Sequence, residues 1–328
     1  MRYRQLGNTE LKVSEIGFGA WAIGGGAMIG ETAIGWGKTD DSVSVKAINK
    51  AFDAGINFFD TADIYGLGHS EELLGKTLKG NNEVMIASKV GNVSRNGQFT
   101  VDYSKEYIIN ACEASLKRLK REAIDLYQLH TARTEHLEKK ECIDAMEVLK
   151  KQGKIRYWGI SLNTFEPAPE ADWMIENSHG SGFQLVLNLL NQKALPLIKK
   201  AGAKGYGIIA RMPLQFGLLT GKFDKEFYFE KNDHRQKRIT ADIVSAANAV
   251  LSPVWDLCEK YGCTKTQMAM SYVLSHDEVS VVIPGIRTTQ HVIENTSGLF
   301  RIEDADMNMI EGKGEELRTV MEMIRKQG

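Results

Sequence analysis

Eight short apolar runs punctuate the chain: VSEIGFG, INFFD, EVMIAS, IDLYQLH, IRYWGIS, GFQLVLN, GYGIIA and VSVVIP. Stretches with apolar residues at helical spacing separate most of them, the signature of repeated βα units. Eight such units predict closure into a parallel barrel. The rival, an open doubly wound sheet, would carry a GxGxxG turn after its first strand, and GFGAWAIGGG lacks that spacing. Ahead of the first unit, YRQLGNTELKVS reads as a hairpin. The Met-, Glu- and Lys-rich tail from Asp304 reads as one terminal helix with Met307, Ile310 and Leu317 on its apolar face. The expected fold is therefore α/β: a single (β/α)8 barrel domain of the TIM kind over residues 1–328, with an N-terminal hairpin and a C-terminal helix.

Local signals refine this outline. Ser70 is placed to cap the helix after Tyr65, with Glu71 and Glu72 favouring the positive end of its dipole and Leu73, Leu74 and Leu78 facing the sheet. VLSPVWDLCEKYG predicts a late helix ending at Gly262. Two irregular stretches, residues 24–37 and 223–238, are candidate site loops.

Composition then narrows the partners. With 41 basic against 42 acidic residues, the formal charge of −1 offers no field for a nucleic-acid backbone. Cys112, Cys142, Cys258 and Cys263 show no CxxC pairing and read as free thiols of a reducing compartment. MRYRQLGNTELKV lacks a continuous apolar core for export, and no run is long enough to span a bilayer. A cytoplasmic monomer with no membrane partner is the expectation.

The chemistry lies at the ends of the runs. INFFD, VMIASK and IDLYQLH finish on Asp60, Lys89 and His130, and strand C-termini of a parallel barrel open onto one face. Tyr65 follows Asp60 closely enough to join them. A lysine buried at a strand end calls for a carboxylate partner, and Asp60 is the natural one. The lysine's charge should lower the tyrosine's pKa, which suits proton transfer to a carbonyl oxygen.

Taken together, DTADIYGLGHSEELLG, ASKV, LYQLH, GKIRYWGIS and IPGIRTTQHVIEN resemble the aldo-keto reductase family over nearly the whole chain. The resemblance implies Tyr65 as proton donor, Lys89 and Asp60 as its tuning network, His130 as substrate orienter, and hydride delivery from a nicotinamide dinucleotide, with no metal. It further implies cofactor contacts from Ala20, Trp21 and Asp60, and from Ser161 and Gln184 on the carboxamide. The family's adjacent Ser-Asn pair is broken here by Leu162, which displaces Asn163. ARMPLQFGLLTGKF resembles the pyrophosphate loop and brings in Met212, Pro213, Leu214, Gly217 and Lys222. Arg211 stands where many relatives carry an aromatic that stacks on the nicotinamide; a guanidinium can stack, bond a phosphate or meet the substrate.

Around the adenosine end the resemblance places Gly285, Arg287, His291, Glu294 and Asn295, with Arg235 as a second phosphate contact. An arginine at that helix N-terminus favours the 2′-phosphate of NADPH, with NADH as the alternative. The expected reaction is NADPH-dependent reduction of an aldehyde or ketone. Thr131, Ala132 and Arg133 after His130 would make one pocket edge polar, which suits a polar or anionic substrate. Two other readings are a Schiff-base lyase with Lys89 as nucleophile and a cofactor-bound, redox-sensing regulatory subunit of the potassium-channel type.

Overall fold

The eight expected runs form the eight parallel strands of one sheet, β1 (Phe18–Gly19), β2 (Phe58–Asp60), β3 (Met85–Val90), β4 (Ile124–His130), β5 (Ile155–Ser161), β6 (Gly182–Val186), β7 (Gly207–Arg211) and β8 (Val279–Ile283). Each pairs with the next in chain order, and parallel bridges Ile16↔Val282 and Gly19↔Gly285 join the last strand to the first and close the barrel. The structure, a computed structural model, describes residues 1–223, 227–229, 233, 235, 236 and 238–327. Part of the candidate loop 223–238 therefore lies outside the described residues.

Helices α1 (Asp41–Asp53), α2 (His69–Thr77), α3 (Lys105–Leu119), α4 (Glu141–Lys151), α5 (Ala168–Glu176) and α6 (Leu195–Ala203) follow β1 to β6 in turn. Two more, α7 (Ala241–Tyr261) and α8 (Lys265–Leu274), come between β7 and β8. None of these helices is long and apolar enough to cross a membrane. Outward-facing strand residues such as Phe59, Ile86, Tyr127, Ile160 and Phe183 pack beneath the helices in the main core. Gly262, in the left-handed region at φ 58°, ends α7 as expected.

Three expectations change. The run VSEIGFG is shared: Val13 and Ser14 pair antiparallel with the hairpin strand Tyr3–Gln5, leaving Phe18–Gly19 for the barrel. Ser70 does not cap α2, because Gly68 at φ 102° takes the cap position. Ser70 instead lies inside the first turn, donating to the Ala20 carbonyl and sharing a hydrogen bond with Thr61. Glu71 beside it is fully buried against Ser88 and Arg118. The tail is two helices, α10 (Asp304–Gly312) and α11 (Gly314–Gln327), broken within Gly-Lys-Gly, where glycines favour a turn. Met307, Ile310 and Leu317 are buried as expected, and α11 packs along α7 on the barrel's outside.

Candidate active site

Strand alternation carries the barrel interior from apolar to polar toward the C-terminal face. Phe58, Ala87, Leu126, Ile209 and Val281 make an apolar layer, covered from below by Leu6, Leu11 and Val13 of the hairpin. Two residues further along β2, β3, β4 and β7, the same inward positions hold Asp60, Lys89, Gln128 and Arg211. Ser161 and Gln184, paired in register across β5 and β6, complete this layer.

Lys89 is fully buried. Its ammonium donates to Asp60 Oδ1 at 2.5 Å and the Thr61 carbonyl at 2.8 Å, and lies 3.4 Å from the Tyr65 hydroxyl. The second Asp60 oxygen accepts from Gln184 Nε2 at 2.7 Å and Gln128 Nε2 at 3.3 Å. Burial, the largest single influence, would lower the Lys89 pKa, but Asp60 and Tyr65 together, through charge and hydrogen bonding, hold the ammonium above its ordinary value. A Schiff-base nucleophile needs an accessible amine with a lowered pKa, so this geometry disfavours the lyase.

Tyr65 begins a tight turn in which Gly66 (φ 62°), Leu67 (φ 54°) and Gly68 (φ 102°) are all left-handed. A Cβ on Gly66 would stand 2.1 Å from the Gly24 carbonyl oxygen, so this turn and the loop after β1 can meet only at a glycine. The phenol stacks on Trp21 with centroids 6.0 Å apart and meets His130 edge-on at 5.9 Å. Its pKa is raised rather than lowered: burial wins over the opposing charge of Lys89. Burial, reinforced by Lys89 and Arg211, pushes His130 well below its ordinary value, so the imidazole is neutral at pH 7. Among the described residues the buried His130 Nδ1 has no hydrogen-bond partner.

A cavity of about 820 Å³ opens above this layer. Of the residues assigned from sequence, Trp21, Asp60, Tyr65, His130, Ser161, Gln184, Arg211, Met212, Pro213, Leu214, Gly217, Lys222, Arg235, Gly285, His291, Glu294 and Asn295 line it. Lys89 lies behind the wall. Ala20 and Arg287 are off the lining: the Ala20 carbonyl binds Ser70, and the Arg287 guanidinium donates to the carbonyls of Trp36 and Lys38. Asn163 turns away, accepting from the Phe165 and Glu166 amides. Of the three residues after His130 only Thr131 reaches the cavity; Ala132 is buried and Arg133 pairs with Glu170 at 3.6 Å. The polar edge expected there is thus reduced to one hydroxyl.

Sequence reasoning missed Gln128, Trp36 and Arg238. Strict alternation back from His130 would have flagged Gln128. Trp36, a lone aromatic in a glycine-rich loop, covers the mouth: it contacts Trp21 at 5.6 Å and Phe216 at 6.1 Å, with the Arg235 guanidinium 4.9 Å over its ring. Arg235 also bonds both carboxylate oxygens of Asp233. Thr131, Met212 and Phe216 on the rim hold φ of 67°, 57° and 58°, backbone strain of the kind that gathers at functional sites.

A model of the aldo/keto reductase family matches residues 15–315. L-galactose dehydrogenase of Arabidopsis thaliana is 31% identical over 93% of this chain and 90% of its own. Among solved structures, the glycerol dehydrogenase AKR11B4 from Gluconobacter oxydans superposes with a TM-score of 0.80 at 28% identity, covering 95% of this chain and 94% of that one. The holo form of the aldo-keto reductase AKR11C1 from Bacillus halodurans gives a TM-score of 0.75 at 27% identity, over 98% and 96% of the two chains.

Proposed function

The chain belongs to the aldo/keto reductase family and is an oxidoreductase by kinship, and from that premise we propose that it reduces aldehydes or ketones with NADPH, using Tyr65 as the acid. The carrying observation is the Tyr65 hydroxyl held 3.4 Å from an ammonium that is itself fixed by a buried carboxylate.

The lining fits an extended dinucleotide. Gly285 faces open space, since a Cβ there would approach nothing nearer than the Ala22 Cβ at 3.9 Å, and this lets a ligand lie close to the backbone. Ser161 and Gln184 would hold the carboxamide, Met212 to Gly217 the pyrophosphate, and His291, Glu294 and Asn295 the adenosine. When bound, the dinucleotide would supply the hydride for the carbonyl carbon. Burial keeps Tyr65 protonated until negative charge develops on the carbonyl oxygen, and Lys89 then stabilises the phenolate as the proton leaves. Neutral His130 can donate or accept a hydrogen bond at the same oxygen without competing as an acid. Trp21, Trp36 and Phe216 exclude water from that end.

The direct test is titration of the purified protein with NADPH and NADH, followed by addition of an aldehyde panel. Aldehyde-dependent oxidation of bound cofactor is the expected result. Binding without turnover would favour the regulatory-subunit reading, and no binding would overturn both. For cofactor choice, Arg287 stands just before α9 (Thr289–Thr296), and its amide donates to the lining residue His291 at 3.2 Å. If the guanidinium turns from the Trp36 and Lys38 carbonyls to the 2′-phosphate, R287A should weaken NADPH about tenfold, the scale of one charge-assisted hydrogen bond, and NADH much less. Equal weakening would remove the 2′-phosphate assignment.

A further inference from the structure

Arg211 is a half-buried cation whose hydrogen bonds, among the described residues, reach no acid. It ends β7 on the cavity wall. One guanidinium nitrogen donates to the Leu162 carbonyl at 3.0 Å and Thr164 Oγ1 at 3.1 Å; another meets the Met212 sulfur at 3.2 Å. The Nε is buried with no acceptor among the described residues. All these partners are neutral. Nearby, the Asp60 carboxylate is matched by Lys89 at 2.5 Å, and His130 is uncharged at pH 7. The inner end of the cavity therefore carries a net positive charge that belongs to Arg211.

We propose that Arg211 makes the site discriminate between the two redox forms of its nicotinamide cofactor, binding NADPH more tightly than NADP⁺. This rests on the reductase reading above. The geometric step needs no particular pose. A carbonyl oxygen protonated by Tyr65 fixes the carbonyl carbon beside it, and the hydride-bearing carbon must come within about 3–3.5 Å of that carbon. Arg211 lines the same cavity as Tyr65 and His130 and lies close enough for its charge to act on both, so a ring placed for transfer lies near it whichever face it turns.

Charge then decides. In the reaction a C–H bond of the dihydronicotinamide breaks, and its electron pair forms the new C–H bond at the carbonyl carbon. The carbonyl π pair moves onto oxygen and takes the Tyr65 proton, which solvent replaces. The reduced ring was neutral, and the oxidised ring is left with a full positive charge. A half-buried guanidinium on the cavity wall tolerates the first and repels the second, and the partly desolvated surroundings strengthen the difference. An aromatic side chain at this position would carry no such charge. The same repulsion speeds departure of the oxidised cofactor after turnover.

Isothermal titration of the full chain with NADPH and with NADP⁺ separately, for wild type, R211Q and R211K, tests this without reference to activity. Wild type should bind NADPH at least about tenfold tighter, the scale expected for two like charges in a partly buried site. R211Q should bring the two dissociation constants toward equality, while R211K, which keeps the charge, should preserve the ratio. A purely structural role for Arg211 would weaken both forms together and leave the ratio unchanged in R211Q, which would overturn the proposal. Equal binding by wild type would overturn it as well. If R211Q fails to fold, R211M supplies a second neutral side chain of similar length. Failure of wild type to bind either dinucleotide would remove the reductase reading along with the proposal, whereas binding of both at one affinity would remove the proposal alone.

Discussion

Y65F should lose aldehyde reduction by roughly 10²- to 10⁴-fold in kcat, the usual worth of a positioned general acid, while NADPH binding stays close to wild type. The separation follows from what the hydroxyl touches. Its hydrogen-bond partner is Lys89 Nζ at 3.4 Å, and Lys89 keeps both stronger acceptors, Asp60 and the Thr61 carbonyl, when the hydroxyl is gone. The ring remains to stack on Trp21 and meet His130 edge-on, so the pocket wall is unchanged. A hydroxyl lost from this place removes a proton rather than a support. Single-turnover oxidation of bound NADPH by a saturating aldehyde measures the effect directly, with a cofactor titration alongside. Turnover by Y65F at the wild-type rate would eliminate Tyr65 as the acid; an equal loss in cofactor affinity would make it a binding residue.

Much of this site was legible because strand periodicity is a local property. Asp60, Lys89 and His130 could be placed at one end of the barrel from the runs that precede them, and the structure brings Asp60 and Lys89 into a direct ion pair. The sequence showed the strands better than their exact ends: β3 continues through Val90, so Lys89 is its penultimate residue. What was illegible depends on contacts between distant segments. Nothing local says that Ser70 will reach the Ala20 carbonyl, 50 residues away in sequence, instead of its own helix terminus. Nor does the sequence near Arg287 reveal that its guanidinium engages carbonyls of Trp36 and Lys38, 251 and 249 residues away. The sign of the tyrosine shift was missed for a related reason. The lysine's proximity can be read from the strands, but the burial that outweighs it depends on packing against distant segments such as Trp21.

K89M should cost the fold about 3–5 kcal/mol, the range for removing one partner of a buried ion pair, and should abolish measurable reduction as well. The penalty comes from what is left behind rather than from what is taken away. Methionine fills most of the lysine's volume, so no large cavity opens. Asp60, however, is 3% exposed and would retain only Gln184 and Gln128 as donors, two neutral amides in place of an ammonium at 2.5 Å. The double variant D60N/K89M removes the stranded charge and should therefore be more stable than K89M alone, even though it carries one more substitution. Chemical denaturation of wild type, both single variants and the double closes the cycle and isolates the coupling between the two residues. Additive losses would mean that the pair is not coupled in solution, and with that the fixed ammonium on which Tyr65 relies would be gone. Recovered stability without recovered turnover is the expected outcome, because a neutral amide–methionine pair can support the barrel wall but cannot stabilise a phenolate.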